Sequence, residues 1–386
     1  MKLAKVLGAA TLGLVASTAS ANEVRVGVVT TLSGPLAILG QHVRDGFELG
    51  VEAADGRLGG LDTKVVVEDD QLKPEVARQA ANKLFGLDKV QIMTGVIFSN
   101  VAMALAKPAE DNNVFFISPN AGPAALAGKG CSANFFATAW QNDQPHEAMG
   151  AHLQQEGVKN VFLIAANYTA GKEALNGFKR AYKGEVSDEI YAAMNQLDFA
   201  AEIAQIQAVR PDAVYAFLSG GMGINFVKQY SQAGLTDKIP LYSAFTIDAT
   251  TLPAIGEAAV GTYQTNLWNA DLPNDVNKQF VERFRAKYGY EPSNFAAQSY
   301  DTARLIDSAL RKTGTADDRE ALMKALREAD FESVRGPFSF NVNQFPIGNF
   351  YLTKVVKGDD GAIRQVTEKV VLEEAKDAYY TECSMS

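Results

Sequence analysis

Three histidines, His42, His146 and His152, are the side chains of this 386-residue chain that titrate close to neutrality. Proton-transfer or metal chemistry would draw on them first. None has metal-ligand spacing, and His146 and His152, six residues apart, fall off one another's helical face. Solvated or capping roles are expected for all three. Ser219 stands in Phe-Leu-Ser-Gly-Gly and lacks the leading glycine of a nucleophile elbow. Gly221-Met-Gly223 lacks the third glycine of a dinucleotide fingerprint, so Gly220 and Gly221 are expected to permit a tight turn. No Gly-x-x-x-x-Gly-Lys-Ser/Thr loop is present. Glu68-Asp69-Asp70 could begin a metal site, but without further ligands at fixed spacing it reads as a solvated strand end. The two cysteines, Cys131 and Cys383, carry no nearby histidine signature of a thiol enzyme. No cofactor or metal is expected, and a hydrolase would have to assemble its nucleophile and base by folding alone.

Binding signals are stronger. Three polar, small-residue edges follow apolar runs: Thr31–Gly34, Gly95–Asn100 and Ser118–Gly122. In open α/β sheets such edges meet helix N-termini, whose unpaired N–H groups receive anions. Ser99 and Asn100 suit a helix start, and a cap with free N–H groups there is a ready receptor for a carboxylate. The alternative, compatible with the first, is that Ser99 only caps its own helix. Phe98, Trp140, Tyr168, Phe245 and Tyr300 lie near the same edges. Trp140 opens a Trp-Gln-Asn-Asp segment where one run of elements passes into the next, and pockets favour such crossings.

The elements that must position these residues alternate. Strands are expected at 24–29, 64–69, 90–94 and 114–118, with helices at 36–54, 74–87 and 99–111 between and around them. The continuous apolar run Val114-Phe-Phe-Ile suits a strand covered on both faces. After a long loop at 118–134, rich in glycine and proline, the alternation resumes. Helices are expected at 143–156, 170–182, 199–209 and 224–232, and strands at 161–165, 185–193, 213–218 and 241–244. An extended segment at 261–267, three helices at 275–288, 294–312 and 317–328, and a hairpin over 349–373 complete the chain. This pattern predicts two doubly wound α/β units with parallel sheets, crossed by several short connections.

Lys2 and Lys5, an apolar stretch from Val6 to Ala16, and Ala19-Ser20-Ala21 have the form of an export signal cleaved after Ala21. The stretch is shorter than the roughly 20 residues that span a bilayer. No cysteine follows the cleavage site to carry a lipid, so a soluble, exported protein beginning near Asn22 is expected. Removing the signal leaves 365 residues, enough for two domains, and moves the net charge from −9 to −11. That balance argues against nucleic acid and against an anionic membrane surface. In an oxidising compartment the cysteine pair predicts a disulfide pinning the C-terminal tail; two buried unpaired thiols are the alternative.

Taken in order, several segments resemble the type I periplasmic solute-binding proteins of the Leu/Ile/Val family. They are Val26-Gly-Val-Val-Thr-Thr-Leu-Ser-Gly-Pro, Gly40-Gln-His-Val-Arg-Asp-Gly-Phe-Glu-Leu, Thr94-Gly-Val-Ile-Phe-Ser-Asn, Ile117-Ser-Pro-Asn-Ala-Gly, Tyr168-Thr-Ala-Gly-Lys and Gly336-Pro-Phe-Ser-Phe. The resemblance covers nearly the whole exported chain. It implies two lobes on a three-segment hinge, residues 22–139 plus 268–337 and 140–267 plus 338–386. It further implies a periplasmic, monomeric receptor that closes on a small ligand and delivers it to an ABC permease of the inner membrane. A sensing receptor of the same fold is the alternative. Ser99 matches the family serine that receives the ligand carboxylate, Ala121 and Gly122 a loop whose backbone helps hold it, and residues near Tyr168 and Ala170 the lid; Asn100, beside Ser99, is a candidate from the helix start alone. One departure stands out. Amino-acid binders of the family place an acid after the strand at 241–243, where this chain reads Ala244-Phe245-Thr246 and the nearest acid is Asp248. A buried ammonium without a partner costs several kcal/mol. Unless Asp248 reaches in, Phe245 and Trp140 suggest an apolar or aromatic carboxylate that lacks an amine.

Overall fold

The computed structural model describes residues 23–385, so the expected signal segment lies outside the described residues. The first unit is a five-stranded, all-parallel sheet in the order β2-β1-β3-β4-β5, formed by β1 (Glu23–Thr30), β2 (Asp62–Asp69), β3 (Ile92–Thr94), β4 (Phe115–Ser118) and β5 (Phe135–Ala137). β1 shows why the strands read as unbroken apolar runs. Val24, Val26 and Val28 join Phe47, Leu305 and Leu322 on one face, while Val29 joins Ala77, Val101 and Leu105 on the other. Helices α1 (Ala37–Ala53), α11 (Asn294–Thr313) and α12 (Arg319–Glu328) cover the first face, and α2 (Pro74–Lys83) and α3 (Ser99–Asp111) the second. α1 lies close against α11 because Gly46 has no side chain: a Cβ there would stand 2.2 Å from the Ala296 carbonyl oxygen.

The second unit is an eight-stranded sheet. Its parallel part comprises β6 (Asn160–Ala166), β7 (Glu185–Ala192), β8 (Ala213–Phe217), β9 (Leu241–Ser243) and β10 (Tyr263–Asn266). β11 (Ser339–Phe340), β12 (Pro346–Lys357) and β13 (Ile363–Ala375) extend it with antiparallel pairing. The expected tail hairpin is β12–β13. Helices α5 (Gln144–Gln155), α6 (Thr169–Ala181), α7 (Ala200–Val209) and α8 (Gly221–Gln232) accompany the sheet.

The segment 118–134, expected to be a loop, holds a short helix α4 (Ala124–Ala127), and β5 follows it as a strand not foreseen. At three residues β5 is too short for a periodicity to register. Pairing with β4 and the contact of Phe136 with Phe340 hold it in place.

Within the described residues three segments join the units, near 138–143, 267–274 and 329–338. Arg335 clasps two of them, donating to the carbonyl oxygens of Thr138 and Ala139 while its guanidinium faces the buried Asp301 of α11. Trp268 of the remaining segment donates its indole N–H to Asn277, 2.7 Å away, on α10 (Asp275–Tyr288). Tyr300 belongs here too: it is buried with its ring 4.8 Å from Phe280, in the core beneath the crossing. The tail after β13 returns to the first unit, where Cys383 is bonded to Cys131, so the disulfide is formed. Tyr379 adds a 2.7 Å hydrogen bond to Asp143.

Candidate functional site

The C-terminal ends of β3 and β4, the crossing segment after β5 and the facing ends of β6, β8 and β9 enclose a cavity of about 30 Å³ between the units. Phe98, Trp140, Tyr168, Phe217, Phe245 and Phe295 supply its rings, Leu39, Ile97 and Ala170 further apolar surface. Its polar lining is Ser99, Asn120, Asn142, His146 and Ser219. Among the described residues no aspartate, glutamate, lysine or arginine lines it.

Ser99 is the first residue of α3, behind Phe98 as N-cap. Its hydroxyl does not cap its own helix; it accepts from Asn142 Nδ2 at 2.8 Å, which leaves its proton for a ligand. The first N–H groups of α3 have no intrahelical carbonyl to bond. Asn142 is the centre of a small network. Its Oδ1 accepts from the Gly122 amide at 3.0 Å, its Nδ2 also donates to Glu173 at 2.6 Å, and its own amide donates to Gly122 O. Glu173, on α6 of the second unit, also accepts from the Ala124 amide of the first at 3.1 Å. One carboxylate thus ties the two units together a single residue away from Ser99. Burial pushes Glu173 up to about 7, although its two donors favour the charged form.

Trp140 and Phe245 stack on each other, ring centres 4.5 Å apart and planes 18° apart, so they form one wall and not a clamp. Phe245 holds φ at +57°, a conformation that bulky residues rarely adopt. Such strain persists where the surroundings enforce it, often at binding sites. Tyr168 meets Phe98 edge-on across the units at 6.1 Å and lies 6.2 Å from Phe217.

Of the residues singled out from the sequence, Ser99, Trp140, Tyr168, Ala170 and Phe245 meet at this cavity. Asn100, Ala121, Gly122 and Asp248 do not line it. The backbone amides of Ala121 and Gly122 are already engaged, with Val96 O and Asn142 Oδ1. Gly122 serves close approach instead: a Cβ would lie 2.0 Å from the Trp140 carbonyl oxygen. Asp248 faces a different space, of about 850 Å³, and its Oδ1 accepts from the Thr250 amide and hydroxyl at 2.7 and 2.6 Å. Burial raises it to about 6.

The histidines are not solvated. His42 and His146 are fully buried, as helix residues on faces packed inward, and desolvation pulls them down to about 4 and about 3; His152 is buried and lowered too. Nor is Asp70 a solvated strand end. It is buried, accepting from Thr31 Oγ1 and the Leu72 amide, while Asp69 accepts from the Leu32 and Gln71 amides. These acids hold the turns at the sheet edge.

Asn120 falls within the expected edge Ser118–Gly122, whereas Asn142, His146, Glu173, Phe217, Ser219 and Phe295 were not singled out as site residues. Asn142 lies in the segment that Trp140 opens and could have been found there. Glu173 and Phe295 sit on helices whose sequence gives no such signal.

Residues 23–361 match the periplasmic binding protein family. The Leu/Ile/Val-binding protein homolog 6 of Brucella melitensis is 30% identical over 375 residues, 94% of this chain and 95% of the relative. An ABC transporter solute-binding protein from R. palustris, solved in complex with benzoate, is 34% identical with a TM-score of 0.88, covering 94% of this chain and 99% of that one. Another, from Rhodopseudomonas palustris BisB5 in complex with 3,4-dihydroxybenzoic acid, is 27% identical with a TM-score of 0.87, over 92% and 99%. Two doubly wound units on a three-segment hinge, a cavity lined by rings and neutral polar groups between them and a match over most of the length agree: this chain belongs to the periplasmic binding proteins, which capture solutes and do not transform them.

Proposed function

We propose that this protein captures a small aromatic carboxylate without an amine between its two lobes and delivers it to an ABC permease of the inner membrane. The observation that carries this reading is the lining of the cavity: aromatic rings and neutral polar groups, with no acid among the described residues to pair an ammonium. Ser99 and the N-terminus of α3 receive the carboxylate. Trp140, Phe245, Tyr168 and Phe217 surround the ring, and Ala170 closes over it. The solved relatives holding benzoate and 3,4-dihydroxybenzoic acid support the same class. The lobes of the proposal are residues 22–139 plus 268–337 and 140–267 plus 338–386, in a monomer released after cleavage behind Ala21.

A branched-chain amino acid is the second reading, favoured by the name of the Brucella relative. Its ammonium would need Glu173, which lies behind Asn142, or Asp248, which faces the other space.

Thermal unfolding with each ligand decides between them. A ligand at 100 times its Kd adds about 2.7 kcal/mol. Benzoate is expected to raise Tm and leucine to leave it unchanged; a rise with leucine alone would refute the aromatic reading.

A further inference from the structure

Two of the polar groups that line the cavity face it from opposite units without a hydrogen-bond partner, and an unsubstituted aromatic acid would leave them so. His146, on the first turn of α5 in the second unit, lines it with Nδ1 engaged by the Tyr215 hydroxyl. Among the described residues Nε2 has no hydrogen-bond partner. Asn120, at the end of β4 in the first unit, donates Nδ2 to Ile97 O at 2.7 Å, while its buried Oδ1 has no partner. A buried polar group left unbonded costs about 1–3 kcal/mol, so a cavity that keeps two is suited to a ligand that satisfies them.

We propose that the ligand is a ring-hydroxylated aromatic carboxylate and that His146 is the residue that recognises the hydroxyl. This rests on the carboxylate reading above. Ser99 belongs to the first lobe and His146 to the second, and both line the cavity, so one ligand held between the lobes can meet both. A hydroxyl suits either tautomer. If Tyr215 donates to Nδ1, Nε2–H donates to the ligand oxygen; if Nδ1–H donates to Tyr215, Nε2 accepts the ligand proton. A second carboxylate would be buried with no cation in the lining, and an ammonium would meet no carboxylate there. Deep burial keeps the imidazole neutral at pH 7.

Calorimetric titration of the exported protein with benzoate, 4-methylbenzoate, 4-hydroxybenzoate and 3,4-dihydroxybenzoate tests this. A site built to bond a hydroxyl rejects analogues that lack it. At least one hydroxylated acid is expected to bind tenfold or more tightly than benzoate and 4-methylbenzoate. His146→Phe should cut that preference below threefold. Tyr215→Phe, which frees the ring to take either tautomer, should weaken the preference less. Equal binding of benzoate and every hydroxylated acid by the unaltered protein overturns the proposal while leaving the carboxylate reading in place. An undiminished preference in His146→Phe removes His146 as the recognising residue. Binding of none of the four acids overturns both.

Discussion

Ser99 is where carboxylate recognition is most exposed to test. Its hydroxyl accepts from Asn142, so its proton is free for a ligand oxygen, and a hydrogen bond to a charged group contributes about 1.5–3 kcal/mol. Ser99→Ala is expected to weaken benzoate binding roughly 10- to 150-fold, measured by calorimetry, with the unfolding midpoint of the free protein little changed. Glu173 offers a pH signature. Its carboxyl is raised from 4.5 to about 7, so between these values the folded state holds a proton that the unfolded state has released. Its contribution to stability is therefore full below about pH 4.5 and is lost as pH rises toward 7. Asp70, Asp248 and Asp301 are raised as well, so the informative quantity is a difference. The stability of the parent relative to Glu173→Gln should fall between pH 5 and 7; a flat difference would show that Glu173 ionises normally. Ser99, Trp140 and Phe245, which line the cavity, could be singled out in the sequence because polar edges and loop aromatics leave local signals. His146 could not, because a residue's role depends on what faces it from a segment tens of residues away.

Among the elements, α1 and α11 show what close packing demands. Gly46→Ala would push a methyl group into the Ala296 carbonyl, and overpacking of this kind costs about 1–3 kcal/mol. Urea titration of that variant should show a lowered midpoint with an unchanged slope. The tail is held by the Cys131–Cys383 bond across a sequence separation of 252 residues. The Cys131→Ala, Cys383→Ala pair is expected to lose about 2–4 kcal/mol; an equal midpoint would mean that Tyr379 and its partners hold the tail without the bond. The alternation of strands and helices was legible because each long element repeats its own hydrophobic period. The three-residue β5 and the four-residue α4 were not, since such pieces exist only through their neighbours.

At the scale of the whole molecule, the two units act together through the crossing segments and the Glu173 link. Arg335 has its guanidinium buried between two crossings and Asp301, and removing one partner of a buried pair costs about 3–5 kcal/mol. Arg335→Met should lower the unfolding midpoint accordingly and loosen the hinge, seen as a larger radius of gyration in solution scattering without ligand. The amino-acid order by itself determined the two α/β units, the lack of a contiguous catalytic motif and the missing acid after the ninth strand. Those properties follow from local periodicity, composition and residue type. Only tertiary structure decided that Asp248 faces another space, that Trp140 and Phe245 form one wall, and that Asn142 joins Ser99 to Glu173. A cavity between two units is made of side chains from many separated segments, and its charge and shape exist only once those segments meet.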